Sequence, residues 1–215
     1  MISQLSSLNE GQVSEAPALA MIELCSIAQG VVACDAALKR AQVKVEWARV
    51  YNPGKYVILL RGGEEEVAEA LKAARLSAGE FEVDSLLLPH PHRQLNRALN
   101  RDALPTGLNA EELALDPPAL GILECYSLCA TLRAADAGCK ESSVSLLTLR
   151  LDPSLGGKGC LLWSGTLDEV EAAQHRGRSA AGAFLYHAQL IPRPHPELSL
   201  QLATAYPSPL PPVSP

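Results

Sequence analysis

The chain has 215 residues, 47% of them hydrophobic, which is enough for one large core or two small ones. Its net charge of −6 and its scattered lysines and arginines exclude the basic patch that nucleic acids and anionic membranes require. The longest apolar runs fall short of the roughly 18 residues of a membrane-spanning helix, and Met1–Glu15 lacks the pattern of a signal peptide. We therefore expect a cytoplasmic protein with no nucleic acid and no membrane among its partners.

The sequence is a tandem duplication with a period of about 100 residues. Ala-Leu-Ala-Met-Ile-Glu at 18–23 recurs as Ala-Leu-Gly-Ile-Leu-Glu at 119–124, an offset of 101. After a two-residue insertion the offset becomes 103, and Pro-His-Pro-His at 89–92 matches Pro-Arg-Pro-His at 192–195. Such a period fits a whole small domain rather than a solenoid repeat. We divide the chain into a flexible N-terminal segment (1–17), a first domain (18–99), a linker (100–118), a second domain (119–203) and a proline-rich tail (204–215).

The first domain reads as six elements in the order β-α-β-β-α-β. Short apolar runs predict strands at 19–24, 43–50, 56–60 and 81–88. Ser26 is a suitable N-cap for a helix that extends to about Ala41. The larger apolar residues of this helix follow one face, as in an amphipathic helix: Ile27, Val31, Cys34, Leu38 and Ala41. A second helix is predicted at 64–78, with glutamates at its start, and a Pro-Gly turn at 51–55 closes a hairpin.

The second domain repeats this order. Strands are predicted at 120–125, 144–151, 158–163 and 184–191, and helices at 127–141 and 167–181. In the split β-α-β or ferredoxin-like arrangement, two helices cover one face of a mainly antiparallel sheet. The expected fold class is therefore α+β, with two tandem ferredoxin-like domains.

The repeated motifs resemble those of bacterial microcompartment shell proteins. The resemblance rests on the strand at 119–124, on Ala-Asp-Ala-x-x-Lys at 135–140, on the Pro-Gly-Lys and Gly-Gly-Lys hairpin loops, and on Ile-Pro-Arg-Pro-His at 191–195. Two unpermuted copies in one chain resemble the tandem-domain, trimer-forming class, and within it the propanediol-utilisation members that carry an iron–sulfur cluster. The resemblance covers about residues 18–200.

That class implies a homotrimer whose six domains form a pseudohexameric disc, because a heterologous interface that repeats can close into a ring. Such discs tile a shell together with hexameric and pentameric shell proteins, around encapsulated enzymes. The resemblance places Lys39 and Lys140 along the disc edge, with Arg193 as their partner across it. His90 replaces this arginine in the first domain and departs from the pattern. A solvated helix end, which the helix dipole favours, is the alternative for both lysines.

The resemblance also places the two hairpin loops around a central pore. The residues concerned are Asn52, Pro53, Gly54, Ser154, Leu155, Gly156 and Gly157. Glycine suits such a rim because its backbone can approach neighbours closely and present N–H groups. These residues carry no carboxylate, so we expect small neutral or anionic metabolites to pass more readily than cations. An ordinary hairpin turn remains the alternative.

We expect no cofactor and no metal. In the iron–sulfur members a cysteine stands where this chain has Asn52, and an amide does not supply the thiolate that such clusters need. The six cysteines contain no Cys-x-x-Cys pair and lie in apolar surroundings. They are expected to be small buried hydrophobes, with a metal or redox role as the alternative.

The sequence offers no recognisable catalytic site, and we expect a structural protein rather than an enzyme. Three of the five histidines fall in the duplicated Pro-x-Pro-His segments, at His90, His92 and His195. Lys158 is followed by Gly159, whereas a phosphate-binding loop requires Ser or Thr there. Two alternatives stay open, namely a trimeric ferredoxin-like ligand sensor and a shell trimer that carries a metal or redox centre.

The two domains differ in charge at matched positions. The first has Glu46 and Arg61 where the second has Leu147 and Ser164. In a pseudohexamer this difference leaves only three-fold symmetry, and we expect it to let alternate edges meet different neighbours.

Overall fold

The computed structural model describes residues 17–100, 117–151, 153–198 and residue 202. The first domain consists of β1 (Ala18–Leu24), α1 (Ile27–Arg40), β2 (Lys44–Tyr51), β3 (Lys55–Gly62), α2 (Glu64–Ala78) and β4 (Glu82–Pro89), followed by α3 (Arg93–Asn100). The second consists of β5 (Ala119–Cys125), α4 (Leu128–Glu141), β6 (Ser145–Arg150), β7 (Gly159–Gly165), α5 (Leu167–Ala181) and β8 (Leu185–Pro192). The predicted order is confirmed in both domains. The N-terminal segment up to residue 16, most of the predicted linker and the proline-rich tail lie outside the described residues.

Each domain contains one four-stranded sheet. The strand orders are β2-β3-β1-β4 and β6-β7-β5-β8, and every neighbouring pair is antiparallel. The central strands occupy the same register, since Ile22 pairs with Ile58 and Ser85, and its counterpart Leu123 pairs with Leu161 and Ala188. This is the ferredoxin-like arrangement expected from the element order.

Local sequence signals explain where the helices begin. The Ser26 side chain accepts a hydrogen bond from the Gln29 N–H, and Ser127 accepts one from Ala130 in the second domain. Both serines thereby satisfy an N–H that the helix itself leaves free. The long helix of each domain ends where it was predicted, at Ala78 and Ala181. No helix in the described part of the chain is long and apolar enough to cross a bilayer.

Helix α3 was not predicted. It follows the first domain directly and carries few apolar residues, so its periodicity is weak. Leu95 is nevertheless fully buried, and Leu99 packs against the same cluster, four residues further on. The helix thus forms because tertiary packing covers one narrow apolar stripe.

The first sheet is covered on both faces. Ala20 and Ile22 of β1 pack with the helices of their own domain. Leu19 and Met21 alternate with them and point to the opposite face, where they share a core cluster with helix α4 of the second domain. We call this contact, between the outer face of the first sheet and α4, the seam.

The predicted apolar face of α1 is only partly covered: Cys34 and Ala41 pack against the core of the first domain, whereas the larger aliphatic residues of this face are exposed. Ile27 and Val31 are 42% and 54% exposed, whereas their counterparts on α4, Leu128 and Leu132, are fully buried at the seam. Against its own sheet, α1 instead buries small residues: Gly30, Ala33 and Ala37. The helix therefore has two apolar sides, and only the side with small residues is covered within the chain.

The second domain has an unusual core at Trp163, which is fully buried where the first domain has Leu60. Three of its glycines replace alanines of the first domain: Gly121, Gly138 and Gly177 stand for Ala20, Ala37 and Ala74. A Cβ atom on Gly138 or Gly177 would lie 2.4 or 2.5 Å from the indole ring. One large side chain is thus accommodated by small residues around it.

Candidate functional site: the seam and the hairpin loops

The hairpin loops of the two domains meet at the seam. The Tyr51 hydroxyl donates to the carbonyl oxygen of Leu151 at 2.8 Å, and Lys55 Nζ donates to that of Gly157 at 2.9 Å. Gly157 has a positive φ of 76°, and a Cβ atom there would lie 2.9 Å from the Asn52 carbonyl oxygen. This position therefore requires glycine both for its backbone conformation and for its close approach to the neighbouring loop.

The predicted pore residues differ in exposure. Asn52, Pro53 and Gly156 are exposed, and Gly54 and Leu155 are half-buried. Gly157 is buried beneath the first loop, and Ser154 lies in the short turn Pro153–Leu155. The structure thus brings the two loops side by side, with the tip of each one open to solvent.

A buried carboxylate of the first domain caps the helix of the second. Glu23 is fully buried and accepts hydrogen bonds from the Ser127 hydroxyl at 2.6 Å and the Cys129 N–H at 2.7 Å. Lys55 Nζ lies 3.2 Å from its other oxygen and also donates to the Tyr126 carbonyl oxygen. An anion at a helix N-terminus is favoured by the helix dipole and by the free N–H groups. The seam is therefore held by a satisfied polar cluster as well as by apolar packing.

Asp84 extends this cluster toward α4. Its carboxylate accepts a hydrogen bond from Arg133 at 3.0 Å and lies within hydrogen-bond distance of the Ser127 hydroxyl. Arg133 also donates to the Ser85 carbonyl oxygen. Both carboxylates at the seam are thus matched by a cation, as buried charges require.

Glu23, Asp84 and Cys129 are the one group among the described residues that could hold a metal ion, with ligand atoms within 4.8 Å of one another. Their chemistry does not fit this role. Lys55 and Arg133 already neutralise the two carboxylates. Burial, with the two carboxylates adding to it, raises the pKa of the Cys129 thiol well above its usual value, so it stays protonated. The cluster is suited to holding the two domains together.

Four of the other five cysteines also lack the environment of a reactive thiol, because burial raises the pKa of each. Cys125 and Cys139 are buried as expected, and burial raises the pKa of each to about 12. Cys160 is half-buried with a pKa of about 11, raised mainly by burial. Cys34 is also half-buried, and Cys25 is exposed, which departs from the expectation that the cysteines are buried. None of the six lies in a hairpin loop, so the loops do not supply the thiolates of an iron–sulfur cluster.

The two lysines predicted for the edge occupy equivalent places in different surroundings. Lys39 pairs with Asp35 at 2.6 Å on the exposed end of α1. Lys140 pairs with Asp136 at the same distance, but Asp136 is buried and also accepts the N–H of His92 at 2.7 Å. Lys140 therefore lies at the C-terminal end of α4, beside the Pro-His-Pro-His segment of the first domain.

His90 and Arg193 have the same backbone conformation, with positive φ values of 52° and 47°. The N–H of each donates to the carbonyl oxygen before the first strand of its domain, on Pro17 or Pro118. His90 lies 3.9 Å from Glu64. The duplication thus preserves the backbone at this point and changes the side chain.

The expectation about Glu46 and Arg61 is wrong for the arginine. Arg61 is only 1% exposed, donates to the Asn96 side chain at 2.8 Å and lies 3.6 Å from Glu46. Burial lowers its pKa, against the opposing effect of Glu46. Because α3 covers this position, the charge difference between the domains is internal and does not mark an exposed edge.

Sequence reasoning missed the polar cluster at the seam. A signal was present, since Glu23 and its counterpart Glu124 each place a carboxylate in an otherwise apolar strand. A charged residue repeated at a buried strand position indicates a partner from outside the domain.

Comparison with known proteins agrees with this architecture. The BMC domain matches the chain twice, over residues 18–91 and 119–194. The bacterial microcompartment shell protein PduT of Citrobacter freundii is 33% identical over 187 residues, covering 86% of this chain and 97% of the relative. The carboxysome assembly protein CcmO of Synechococcus elongatus is 29% identical over 197 residues, covering 87% of this chain and 69% of the relative.

Two solved structures are also similar. A microcompartment protein from Desulfitobacterium hafniense has a TM-score of 0.67 and 30% identity, covering 85% of this chain and 98% of that one. The fused permuted hexameric shell protein MSM0275 has a TM-score of 0.52 and 20% identity, covering 76% and 83%, and supports the fold alone. The resemblance seen in the repeated motifs is confirmed: the chain belongs to the BMC-domain family, carries two such domains in tandem, and is a homologue of the shell protein PduT.

Proposed function

We propose that this protein is a structural component of a bacterial microcompartment shell, built as a homotrimer whose six domains surround a central pore. The observation that supports this most directly is the difference in burial between the matching apolar sides of helices α1 and α4. The apolar side of α4 is buried at the seam, whereas the matching side of α1 is exposed, with Val31 54% accessible against 0% for Leu132. The copy of this apolar surface on α4 is covered within the chain, so the exposed copy on α1 is expected to be covered by another molecule.

The outer face of the second sheet supplies that surface in our proposal. It is the counterpart of the first-sheet face that α4 covers, and it is less buried, with side chains of Glu124 and Lys158 34% and 37% exposed. If α1 of one chain packs there as α4 packs at the seam, the interface is heterologous and repeats around a ring. The family to which the chain belongs suggests closure at three chains.

The repeat offsets then specify polar contacts between chains. Glu124 takes the place of Glu23 and accepts hydrogen bonds at the start of α1, from Ser26 and the Ala28 N–H of the next chain. Lys158 takes the place of Lys55, and it already lies 3.4 Å from Glu124 within its own chain. The Asp84–Arg133 pair has no such counterpart, because His187 and Val32 stand at these positions. Contacts within and between chains would therefore differ.

We propose that the paired loop tips converge on the three-fold axis and line a pore, through Asn52, Pro53, Gly54 and residues 154–157. Amide groups and backbone N–H groups would face the passing solute. The Asn52 amide in place of a cysteine favours an open pore over a cluster site, and we assign the protein no cofactor and no catalytic activity.

This pore is expected to admit small neutral or anionic solutes more readily than cations of similar size. The measurement is single-channel conductance of the trimer in planar bilayers, with salts of matched mobility on the two sides. A reversal potential that reports anion preference agrees with the proposal. Cation preference would contradict it, and an Asn52→Asp variant, which adds a ring of carboxylates, should shift the preference toward cations.

We further propose that Lys39, Lys140, His90 and Arg193 lie along the disc edges and contact hexameric and pentameric shell proteins in a layer that encloses enzymes. The exposed Lys39–Asp35 pair can exchange its partner at little cost, since surface ion pairs contribute about 1 kcal/mol or less. The division into domains at 18–99 and 119–203 is part of the same proposal.

Electron microscopy of the purified protein tests the shell role. We expect hexagonal discs whose averages show three-fold symmetry and a central opening, together with flat sheets at high protein concentration. Compact trimers without an opening and without edge contacts would instead indicate the ligand sensor. A Lys39→Ala/Lys140→Ala variant should still form discs but no longer form sheets. This result would separate the assembly of the trimer from the association of trimers into a layer.

A further inference from the structure

A basic pocket lies between helix α3 and the end of α4. It has a volume of about 480 Å³ and is lined by His92, Arg93, Arg97 and Lys140, together with the polar segment 141–145. The pocket is formed by both domains, because α3 follows the first domain and α4 belongs to the second. It is separate from the hairpin loops and from the polar cluster around Glu23.

Positive charge dominates this pocket. Within the described residues, the side chains of Arg93 and Arg97 form no hydrogen bond or ion pair, while Lys140 is matched by Asp136. Glu141 is the carboxylate in the lining, and it lies 3.9 Å from Arg176. Two guanidinium groups thus remain without a matching carboxylate in this part of the structure.

The helix that carries these arginines is fixed in place. The Gln94 side chain donates to the Val144 carbonyl oxygen at 2.7 Å and accepts the Leu146 N–H at 2.7 Å, so it binds the edge of β6 as a strand would. Arg93 and Arg97 are four residues apart and therefore share one side of α3. Like charges at this spacing destabilise a helix, and no carboxylate in the described part of the chain forms an ion pair with either side chain.

The duplication shows that the fold does not need this pair. The residues that match Arg93, Gln94 and Arg97 in the second domain are Pro196, Glu197 and Leu200. The two positive charges are therefore specific to α3, and neither is repeated in the second domain. This difference indicates a ligand rather than a structural requirement.

We propose that the pocket binds a small multivalent oxyanion, of the phosphate or dicarboxylate class, between the two guanidinium groups and Lys140. Guanidinium groups bind such oxygens in pairs, and serine hydroxyl groups at 143 and 145 lie in the same lining. The site occurs once in each chain and is formed by residues of that chain alone. Its occupancy can therefore be measured whether or not the protein forms a shell.

His92 lies in the lining of the pocket, so its pKa should respond to a bound anion. Its pKa is lowered, first by burial, and the nearby Arg93 and Lys140 lower it further while Asp136 opposes them. A bound anion would offset the two cations and raise this pKa. By linkage, an anion that raises this pKa must bind more tightly to the protein with His92 protonated than to the protein with His92 neutral.

The test is isothermal titration calorimetry of the full chain at low ionic strength, with inorganic phosphate in one series and malonate in the other. An Arg93→Gln/Arg97→Gln variant should weaken saturable binding by roughly ten-fold or more, since each hydrogen bond to a charged group contributes about 1.5–3 kcal/mol. A Lys72→Gln/Arg178→Gln variant removes two exposed charges outside the pocket and should bind like the parent protein. If only one of the two titrants saturates the site, that titrant identifies the ligand class as phosphate or dicarboxylate.

NMR titration of His92 in the unmodified chain provides a second readout that needs no variant. Its pKa should be higher in the presence of the saturating anion than in chloride of equal ionic strength. Absence of saturable binding for both titrants would overturn the proposal, as would equal weakening in the two variants, which would indicate only the net charge of the surface.

Discussion

Substitution of Val31 by aspartate is expected to convert the trimer into monomers. Val31 is 54% exposed in the single chain, and its counterpart Leu132 is fully buried at the seam. In the proposed ring Val31 occupies the same environment between chains, so a carboxylate there would be buried without a partner. Such burial costs several kcal/mol at each interface, and three interfaces are affected at once. The molar mass, measured by size-exclusion chromatography with light scattering, should fall from three chains to one.

A Leu76→Asp variant is the matched control. Leu76 is 86% exposed and lies on α2, which takes no part in the seam. This variant carries the same new charge and should remain trimeric. A Leu132→Asp variant should behave differently again, because it introduces the charge within the chain and lowers the free energy of unfolding. If Val31→Asp keeps the molar mass of the trimer, α1 does not form the interface and the proposed ring is wrong.

Substitution of Gly138 by alanine is expected to destabilise the second domain by about 3 kcal/mol, near the upper end for overpacked cores. The added Cβ atom would lie 2.4 Å from the Trp163 ring, which is fully buried and has little room to move. Alanine is favoured over glycine in a helix by about 1 kcal/mol, so the steric cost must outweigh this gain. Urea unfolding at a fixed protomer concentration measures the change, because trimer stability depends on concentration.

The first domain supplies the rescue variant. It has Ala37 and Leu60 where the second has Gly138 and Trp163, so alanine and leucine are compatible at these two positions. Combining Gly138→Ala with Trp163→Leu should therefore recover part of the lost stability, and the two effects should not add. An Ala37→Gly substitution should cost about 1 kcal/mol through helix propensity, in addition to the loss of the buried methyl group. A Gly138→Ala protein as stable as the parent would show that the indole ring is not closely packed.

Much of the fold could be predicted from the chain itself. The duplication divides the protein into two domains, and alternation of apolar runs with helical patterns gives the order of elements within each. The bounds of α2 and α5 follow from their acidic starts and from the glycines that end them, at Gly79 and Gly182. Strand ends shift by one or two residues, since pairing with neighbours decides them. The motifs around Lys140 and Arg193 indicated the family, which the comparisons confirm.

Helix α3 and the polar contacts at the seam could not be predicted in the same way. Residues 93–99 carry no predicted element, and Asn96 among them is a hydrogen-bond partner of the buried Arg61. Lys55 was read as part of a turn, and it joins the two domains through Glu23, Tyr126 and Gly157. In both cases the partners are distant in sequence, and no local pattern records them.

The amino-acid sequence by itself determined the element order, the two domains and the family, because these depend on patterns within a few residues and on their repetition. Only the tertiary structure decided which apolar surfaces are covered. Val31 and Leu132 carry the same local signal, and they differ in burial because the first sheet packs on α4 while no part of the described chain packs on the outer side of α1 at Val31. Burial is a property of what lies opposite a side chain, and here the opposite surface comes from about 100 residues away in the chain or from another molecule.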